Sequence, residues 1–230
     1  MNLLEKEQWI QKQAEEMEHA TAEELIRLAV ETFPNITFAC SFGAEDVVLV
    51  DILQKVSPST DIFYLDTDFH FKETYETRDR LEARYGIEFV RVSPKLTPEE
   101  QAAAHGEELW KSEPNACCNI RKVEPLTRIL SQYDAWITGI RRDQAPTRAN
   151  AKKVEYDNKF GLVKFNPLAD WTTDDVWNYI RENQVLYNPL HDMNFPSIGC
   201  EYCTRAVAPG EDPRAGRWAN SDKIECGLHK

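Results

Sequence analysis

The chain has 230 residues, 42% of them hydrophobic and 10% aromatic, enough to bury a substantial core without disulfide staples. Lys plus Arg number 27 against 39 Asp plus Glu, a formal charge of −12 that argues against nucleic acid or an anionic membrane as partner, so any anionic ligand must be met by a local cluster of cations. The opening MNLLEKEQWIQKQAEE lacks the basic end and apolar block of a signal peptide, and no apolar run approaches the ~20 residues of a membrane span, so residence is expected to be cytoplasmic.

Thr21-Ala-Glu-Glu24 reads as a capping box leading into the helical stretch LIRLAVETF. ITFACS (36–41) reads as a buried strand, and 44–56, apolar at 47–50, 52 and 53, as the helix after it. DIFYLD (61–66) is the next strand, followed by a helix over 73–85, a strand IEFVRV (87–92) and a helix near 98–106. AWITGI (135–140) supplies a fourth strand, preceded by a helix beginning just after Cys117-Cys118. The alternation predicts an α/β fold, a mainly parallel sheet with helices on both faces, and ligands beyond the carboxyl ends of its strands. After residue 150, VEYDNKFGLVKFNPL reads as a short hairpin and 173–183 as a helix. The rest is rich in Pro, Gly and charge, an irregular segment that needs a ligand or cluster to order it. Two parts are expected: a nucleotide-binding α/β domain over 1–186 and a C-terminal segment over 187–230.

Ser41-Phe42-Gly43-Ala44-Glu45-Asp46 lies between strand and helix, where backbone N–H groups favour an anion; an ordinary turn capped by Ser41 fits equally. It lacks the spacing of a triphosphate-binding P-loop. Leu65-Asp66-Thr67-Asp68-Phe69-His70 offers Thr67 and backbone groups to a base or ribose, or is a polar loop before the next helix; His70 reads as a capping or surface residue. The six cysteines sit in a compartment where disulfides are rare. Cys117-Cys118 and Cys200-x-x-Cys203 suit an iron–sulfur cluster, with zinc second, because one zinc would require adjacent sulfurs to converge on one atom. Lys122 lies one helical turn beyond Cys118, where a cation would offset the thiolate charge; a solvent-facing lysine is the plainer reading. Arg141-Arg142 with Arg148, Arg121-Lys122, and Arg214 with Arg217 are three cationic clusters for a small dianion, unless they are ordinary surface ion pairs. In Glu225-Cys226-Gly227-Leu228-His229, a thiol beside Gly near the chain end is a candidate nucleophile, with His229 favouring its thiolate; Cys40 reads as core packing.

Taken in order, SFGAEDVVL, YLDTDFHFKETYETRDR, CCNIRKVEPL, TGIRRDQAPTR, GCEYCTR, PRAGRW and ECGLH resemble the phosphosulfate reductases, specifically the cluster-containing adenosine 5'-phosphosulfate (APS) reductases of assimilatory sulfate reduction, from about Ile36 to His229. The resemblance implies an adenine-nucleotide alpha-hydrolase-like fold and a 4Fe-4S cluster on Cys117, Cys118, Cys200 and Cys203. It implies Cys226 as nucleophile, with Lys122 and His229 in the catalytic set. Substrate positions fall on Ser41, Gly43, Leu65, Thr67, Gly139, Arg148, Arg214 and Arg217. Thioredoxin or a similar dithiol protein is implied as reductant, while APS-versus-PAPS preference and homo-oligomer formation stay open. Asp68 departs from the Gly common in relatives. Two rivals are an ATP-dependent sulfur transferase of the same fold, whose S-G-G-x-D-S-type loop this chain lacks, and a zinc-ordered binding module, which leaves ECGLH unexplained.

Overall fold

In the computed structural model, which describes residues 3–219, 223, 227 and 228, six strands form one sheet. They are β1 (Ile36–Ala39), β2 (Asp61–Leu65), β3 (Val90–Val92), β4 (Ala135–Ile137), β5 (Val154–Asp157) and β6 (Leu162–Phe165), in the order β3-β2-β1-β4-β6-β5. β1 runs parallel to β2 and β4, and β4 parallel to β6, while β5 is antiparallel to β6. The expected mainly parallel sheet thus carries the expected hairpin at one edge. The helices are α1 (Leu3–Glu16), α2 (Ala22–Thr32), α3 (Ala44–Val56), α4 (Lys72–Tyr85), α5 (Pro98–His105), α6 (Leu109–Ser112), α7 (Pro114–Cys118), α8 (Glu124–Leu130) and α9 (Thr173–Glu182). Among the described residues no helix is long and apolar enough to cross a membrane.

The chain divides into two compact units, each discontinuous in sequence: Met1–Phe63 with Leu130–Leu186, and Tyr64–Ile129 with Tyr187–Lys230. In the first, Thr21 and Glu24 form the predicted reciprocal cap of α2. α3 packs between α2 and α9, which is why Val47 to Leu53 are all buried and the helix shows no polar stripe. Each fully buried aliphatic there contributes about 1.5–3 kcal/mol. Asp51 is the exception in this run, and its carboxylate is satisfied by Lys55 Nζ at 2.6 Å and by the Tyr179 hydroxyl at 2.8 Å. Trp9, Phe33 and Phe165 meet edge-to-face with centroids 5.4–6.4 Å apart, fastening α1 and α2 to β6.

The second unit departs from the sequence expectation in two places. The strand anticipated over 87–92 is confined to Val90–Val92, because α4 ends on Gly86 in the left-handed conformation (φ 66°) and Glu82 takes the following donors. Its carbonyl accepts from Gly86 and Ile87, and its carboxylate from the Phe89 N–H at 2.9 Å. The helix expected after the cysteine pair instead begins before it: α7 starts at Pro114 and carries both cysteines. A π-helical turn, Asn119–Val123, then joins α7 to α8. Pro125 has no N–H for the Arg121 carbonyl and crowds it, so a regular α-turn cannot run through this point. The stretch after Tyr187 has no regular helix or strand among its described residues, only 3-10 turns at Pro189–Met193 and Glu201–Cys203. It is pinned by Asn188 Nδ2 donating to Thr74 Oγ1, by Glu201 N–H donating to the Phe69 carbonyl, and by bridges pairing His70 with Cys200 and Thr204 with Arg217.

Tyr179→Phe removes a donor to buried Asp51 and should destabilise the protein by about 1–2 kcal/mol, read as a lower urea midpoint. An unchanged midpoint would show that the Tyr179 hydrogen bond does not stabilise the carboxylate.

Candidate functional site

In the first unit the turn from β1 to α3 is built around Asp46. Ser41 donates to Asp46 Oδ2 through both its backbone N–H and its hydroxyl, each at 2.6 Å, and Phe42 accommodates the turn at φ 62°. Gly43 is the N-cap residue of α3 and supplies no side-chain cap. Burial pushes the Asp46 carboxyl up to about 6, against the two Ser41 hydrogen bonds and with the Glu45 charge adding to the rise. Gly139 lies so close that a Cβ there would strike Asp46 Oδ1, with Glu45 Cβ only 3.2 Å away, so no larger residue fits. Arg141 is buried, donating to Glu45 at 2.9 Å and also to Asp143, the Trp171 carbonyl and Thr173. Arg142 forms a fork onto Glu18 at 2.7 and 2.9 Å. Both belong to the ion-pair alternative rather than to an anion-binding cluster. Arg148 Nη1 donates to Gln144 Oε1. Cys40 is buried, and its thiol is pushed well up by desolvation, as packing in an apolar strand requires.

In the second unit the chain leaving β2 makes a polar knot. Asp66 accepts from Tyr75 Oη at 2.7 Å, Arg91 Nε at 2.6 Å and the Asp68 N–H at 3.0 Å; burial opposes its ionisation, but these donors hold its carboxyl below the usual range. Thr67 is fully buried, with Oγ1 3.4 Å from Cys200 Sγ. Asp68, at φ 57°, accepts from Arg121 Nη1 at 2.9 Å and Arg91 Nη2 at 3.2 Å. His70 caps no helix: it donates from Nε2 to the Leu65 carbonyl at 2.8 Å, and desolvation pushes it down to about 4.

Cys117, Cys118, Cys200 and Cys203 line one cavity in this unit, together with Arg121 and Lys122. Phe69, Trp110 and Tyr202 wall it, the last two stacked at 4.3 Å. Arg121, read as an anion binder or else an ordinary surface ion pair, is 1% exposed. Its guanidinium lies over the Phe69 ring at 4.7 Å, donates to Gln101 and Asp68, and leaves Nη2 buried without a hydrogen-bond partner among the described residues. Desolvation, with the neighbouring thiols adding to it, pushes Cys117 up to about 11 and Cys203 up to about 12; Arg121 and Gln101 oppose this at Cys117, and Lys122 at Cys203. Cys117 and Cys203 ionise together only beside a compensating positive centre. An all-sulfur donor set beside two cations, Lys122 and Arg121 with its unsatisfied Nη2, fits an iron–sulfur group. Among the described residues, no three Cys, His, Asp or Glu side chains are grouped so as to hold one metal ion.

Leu65 ends β2, and Arg217 lies against Gly199, where a Cβ would strike its guanidinium. Arg217 Nη1 donates to Ser197 and the Ile198 carbonyl, and its guanidinium stacks on Trp218 at 4.5 Å. The Arg214 N–H donates to Asp212 at 2.7 Å. Cys226 and His229 lie outside the described residues. Sequence reasoning missed Asp46 and Gln101. Asp46 was legible as a carboxylate five residues beyond Ser41 in a turn short of acceptors, whereas Gln101 is marked only by being the one polar residue that α5 buries.

A mainly parallel α/β sheet and a thiol-lined cavity with two cations on its wall are the features that define the class. The sequence profile of the phosphoadenosine phosphosulfate reductase domain matches residues 35–206, and the chain belongs to that family. It is 50% identical over 216 residues to the adenosine 5'-phosphosulfate reductase of Halalkalibacterium halodurans, covering 93% of this chain and 94% of that one. It is also 50% identical over 196 residues to adenosine 5'-phosphosulfate reductase 1 of Bacillus subtilis, with 85% and 84% covered. The crystal structure of the phosphoadenylyl-sulfate (PAPS) reductase from Candida auris, a phosphate complex, superposes with a TM-score of 0.77 at 33% identity over 86% of this chain and 96% of that one.

Because Asp46 is raised from 3.8 to about 6, the folded chain holds this proton more tightly than the unfolded chain. The associated stability is complete below about pH 4 and is lost as pH rises through about 6. Asp46→Asn keeps an acceptor for Ser41 and cannot ionise. The stability of the parent relative to this variant should therefore fall by about 3 kcal/mol between about pH 4 and pH 7, measured by urea unfolding. A difference that does not change with pH would contradict the buried-carboxyl assignment.

Proposed function

We propose that this chain is an adenylyl-sulfate reductase that converts APS to sulfite and AMP in assimilatory sulfate reduction, with a 4Fe-4S cluster on Cys117, Cys118, Cys200 and Cys203. The observation that carries the reading is the gathering of those four thiols around one cavity, with Lys122 on its wall, in a chain half identical to APS reductases. When bound, the cluster would tie together the two stretches of chain that carry its cysteines, with Arg121 and Lys122 offsetting the thiolate charge, and would not pass electrons, since a dithiol delivers both electrons of the reduction.

The Cys226 thiolate attacks the sulfur of APS; an S–S bond forms, the S–O bond to phosphate breaks, and AMP departs with the electron pair on its phosphate oxygen. Cys226 is left as S-sulfocysteine. A thiolate of thioredoxin, or of a similar dithiol protein, then attacks the Cys226 sulfur. Sulfite leaves with the electron pair of the broken S–S bond, and the second thiol of the dithiol closes its own disulfide and frees Cys226. The resemblance assigns Ser41, Gly43, Leu65, Thr67, Gly139, Arg148, Arg214 and Arg217 to substrate contact. Lys122 offsets charge gathering on the departing phosphate, and His229 supports the Cys226 thiolate. Arg217 enters this role already braced by Ser197, Ile198 and Trp218, which limits the ordering cost on binding.

Incubating the parent chain with sulfur-labelled APS and no reductant should leave label on the Cys226 peptide and release one AMP per label. Cys226→Ser should bind no label and lose turnover while keeping its iron. Turnover retained by Cys226→Ser would remove this residue from the nucleophile's role.

A further inference from the structure

Gln101 is the single buried residue of α5, 2% exposed, on a helix whose other positions face outward or are only partly covered. The proposed reaction makes no use of it. A side-chain amide has a donor end and an acceptor end that differ only by a flip, and here the neighbours decide which end points where. Arg121 Nε lies 2.8 Å from the Gln101 side chain, and a guanidinium can only donate, so the amide oxygen must face Arg121. The amide nitrogen is thereby turned toward Cys117 Sγ at 3.8 Å, within reach of an N–H···S contact to the larger sulfur atom.

Arg121 cannot rotate away to release this arrangement. Nη1 is held by Asp68 Oδ2 at 2.9 Å, and the guanidinium plane rests on Phe69 at 4.7 Å. A fixed chain of contacts therefore runs from Asp68, at the end of β2, through Arg121 and Gln101 to the sulfur of Cys117, entirely within the second unit. Gln101 is too deeply buried for its amide to find water in place of the sulfur, so an unpaired amide there would be costly.

We propose that Gln101 is a positioning residue for the cysteine site: it donates a hydrogen bond to the Cys117 sulfur in a direction set by Arg121, and so fixes that ligand and tunes its bond to iron. The inference rests on the cluster reading above. A hydrogen bond to a metal-bound thiolate lowers the energy of the sulfur lone pairs, so its loss should shift the sulfur-to-iron charge-transfer absorption to longer wavelength and the reduction potential to a more negative value. Hydrogen bonds from neighbouring side chains tune metal ligands in this way, and their removal commonly costs 10–100-fold in metal retention.

Gln101→Glu separates the two ends of the amide, because it preserves an acceptor for Arg121 and deletes the donor to Cys117. Gln101→Leu deletes both. Each variant is to be prepared anaerobically beside the parent, and iron and sulfide content, the visible spectrum, the rate of iron transfer to a chelator and Tm measured. The expected result is a red-shifted band and iron release about 10-fold faster or more in Gln101→Glu, with Tm near that of the parent; Gln101→Leu should show the same spectral shift with a lower Tm. Should Gln101→Glu not accumulate as folded protein, the presence or absence of the spectral shift in Gln101→Leu decides the question in its place. A merely structural role would lower Tm and leave the band where it is. Iron-loaded variants whose spectrum and iron release superimpose on those of the parent would overturn the proposal and leave the cluster reading standing, whereas a parent chain without iron would overturn both.

Discussion

Cys117, Cys118, Cys200 and Cys203 reach one cavity from two stretches of chain more than eighty residues apart, and desolvation, with the neighbouring thiols adding to it, works against ionising Cys117 and Cys203. This opposition is the constraint around which the second unit is organised. Left as neutral thiols, the sulfurs would be an ordinary apolar patch, and Cys117, Cys200 and Cys203 do pack with Phe69, Leu109 and Trp110 as one. The surrounding residues are not those of an apolar patch. A buried guanidinium with one nitrogen unsatisfied among the described residues, and a half-buried lysine, stand on the same wall.

Local sequence explains how the cations reach that wall. Pro125 interrupts the α-helical hydrogen-bond ladder, and the π-turn over Asn119–Val123 presents Arg121 inward, where Asp68 and Gln101 receive it. The same knot ties the end of β2 to the second cysteine pair, since Thr67 touches Cys200 and the Phe69 carbonyl accepts from Glu201. The Trp218 backbone N–H donates to the Cys203 carbonyl and the Arg205 backbone N–H to the Gly216 carbonyl, so the segment carrying Arg214 and Arg217 is fastened to the C-x-x-C loop. Anything that holds the cysteines in place therefore also holds the arginines proposed for the substrate. In the first unit the corresponding economy is at Asp46, which occupies both donors of Ser41 and fills the space that keeps residue 139 a glycine.

Much of this was legible in the sequence because it rests on local signals. A run of apolar residues marked α3, a capping box marked α2, alternation of elements pointed to the parallel sheet, and VEYDNKFGLVKFNPL marked its edge hairpin. What the sequence misread was decided in part by partners a turn or two away and in part by contacts far along the chain. Nothing in IEFVRV announces that Glu82 will take the Ile87 and Phe89 donors and shorten the strand. Arg121, Arg141 and Arg142 look alike as cations, yet all three have carboxylate partners, Asp68, Glu45 and Glu18, that lie 53, 96 and 124 positions away. The cysteine spacing pointed to a shared group, but only the fold brings Gln101 to the first of them.

The chemical nature of the group bound by the four thiols decides how the second unit works. Its most direct test is a metal and sulfide analysis of the full-length chain purified without oxygen. Iron and acid-labile sulfide in equal amounts are expected, together with a broad brown absorption and no zinc. Stoichiometric zinc with neither iron nor sulfide would contradict the cluster reading.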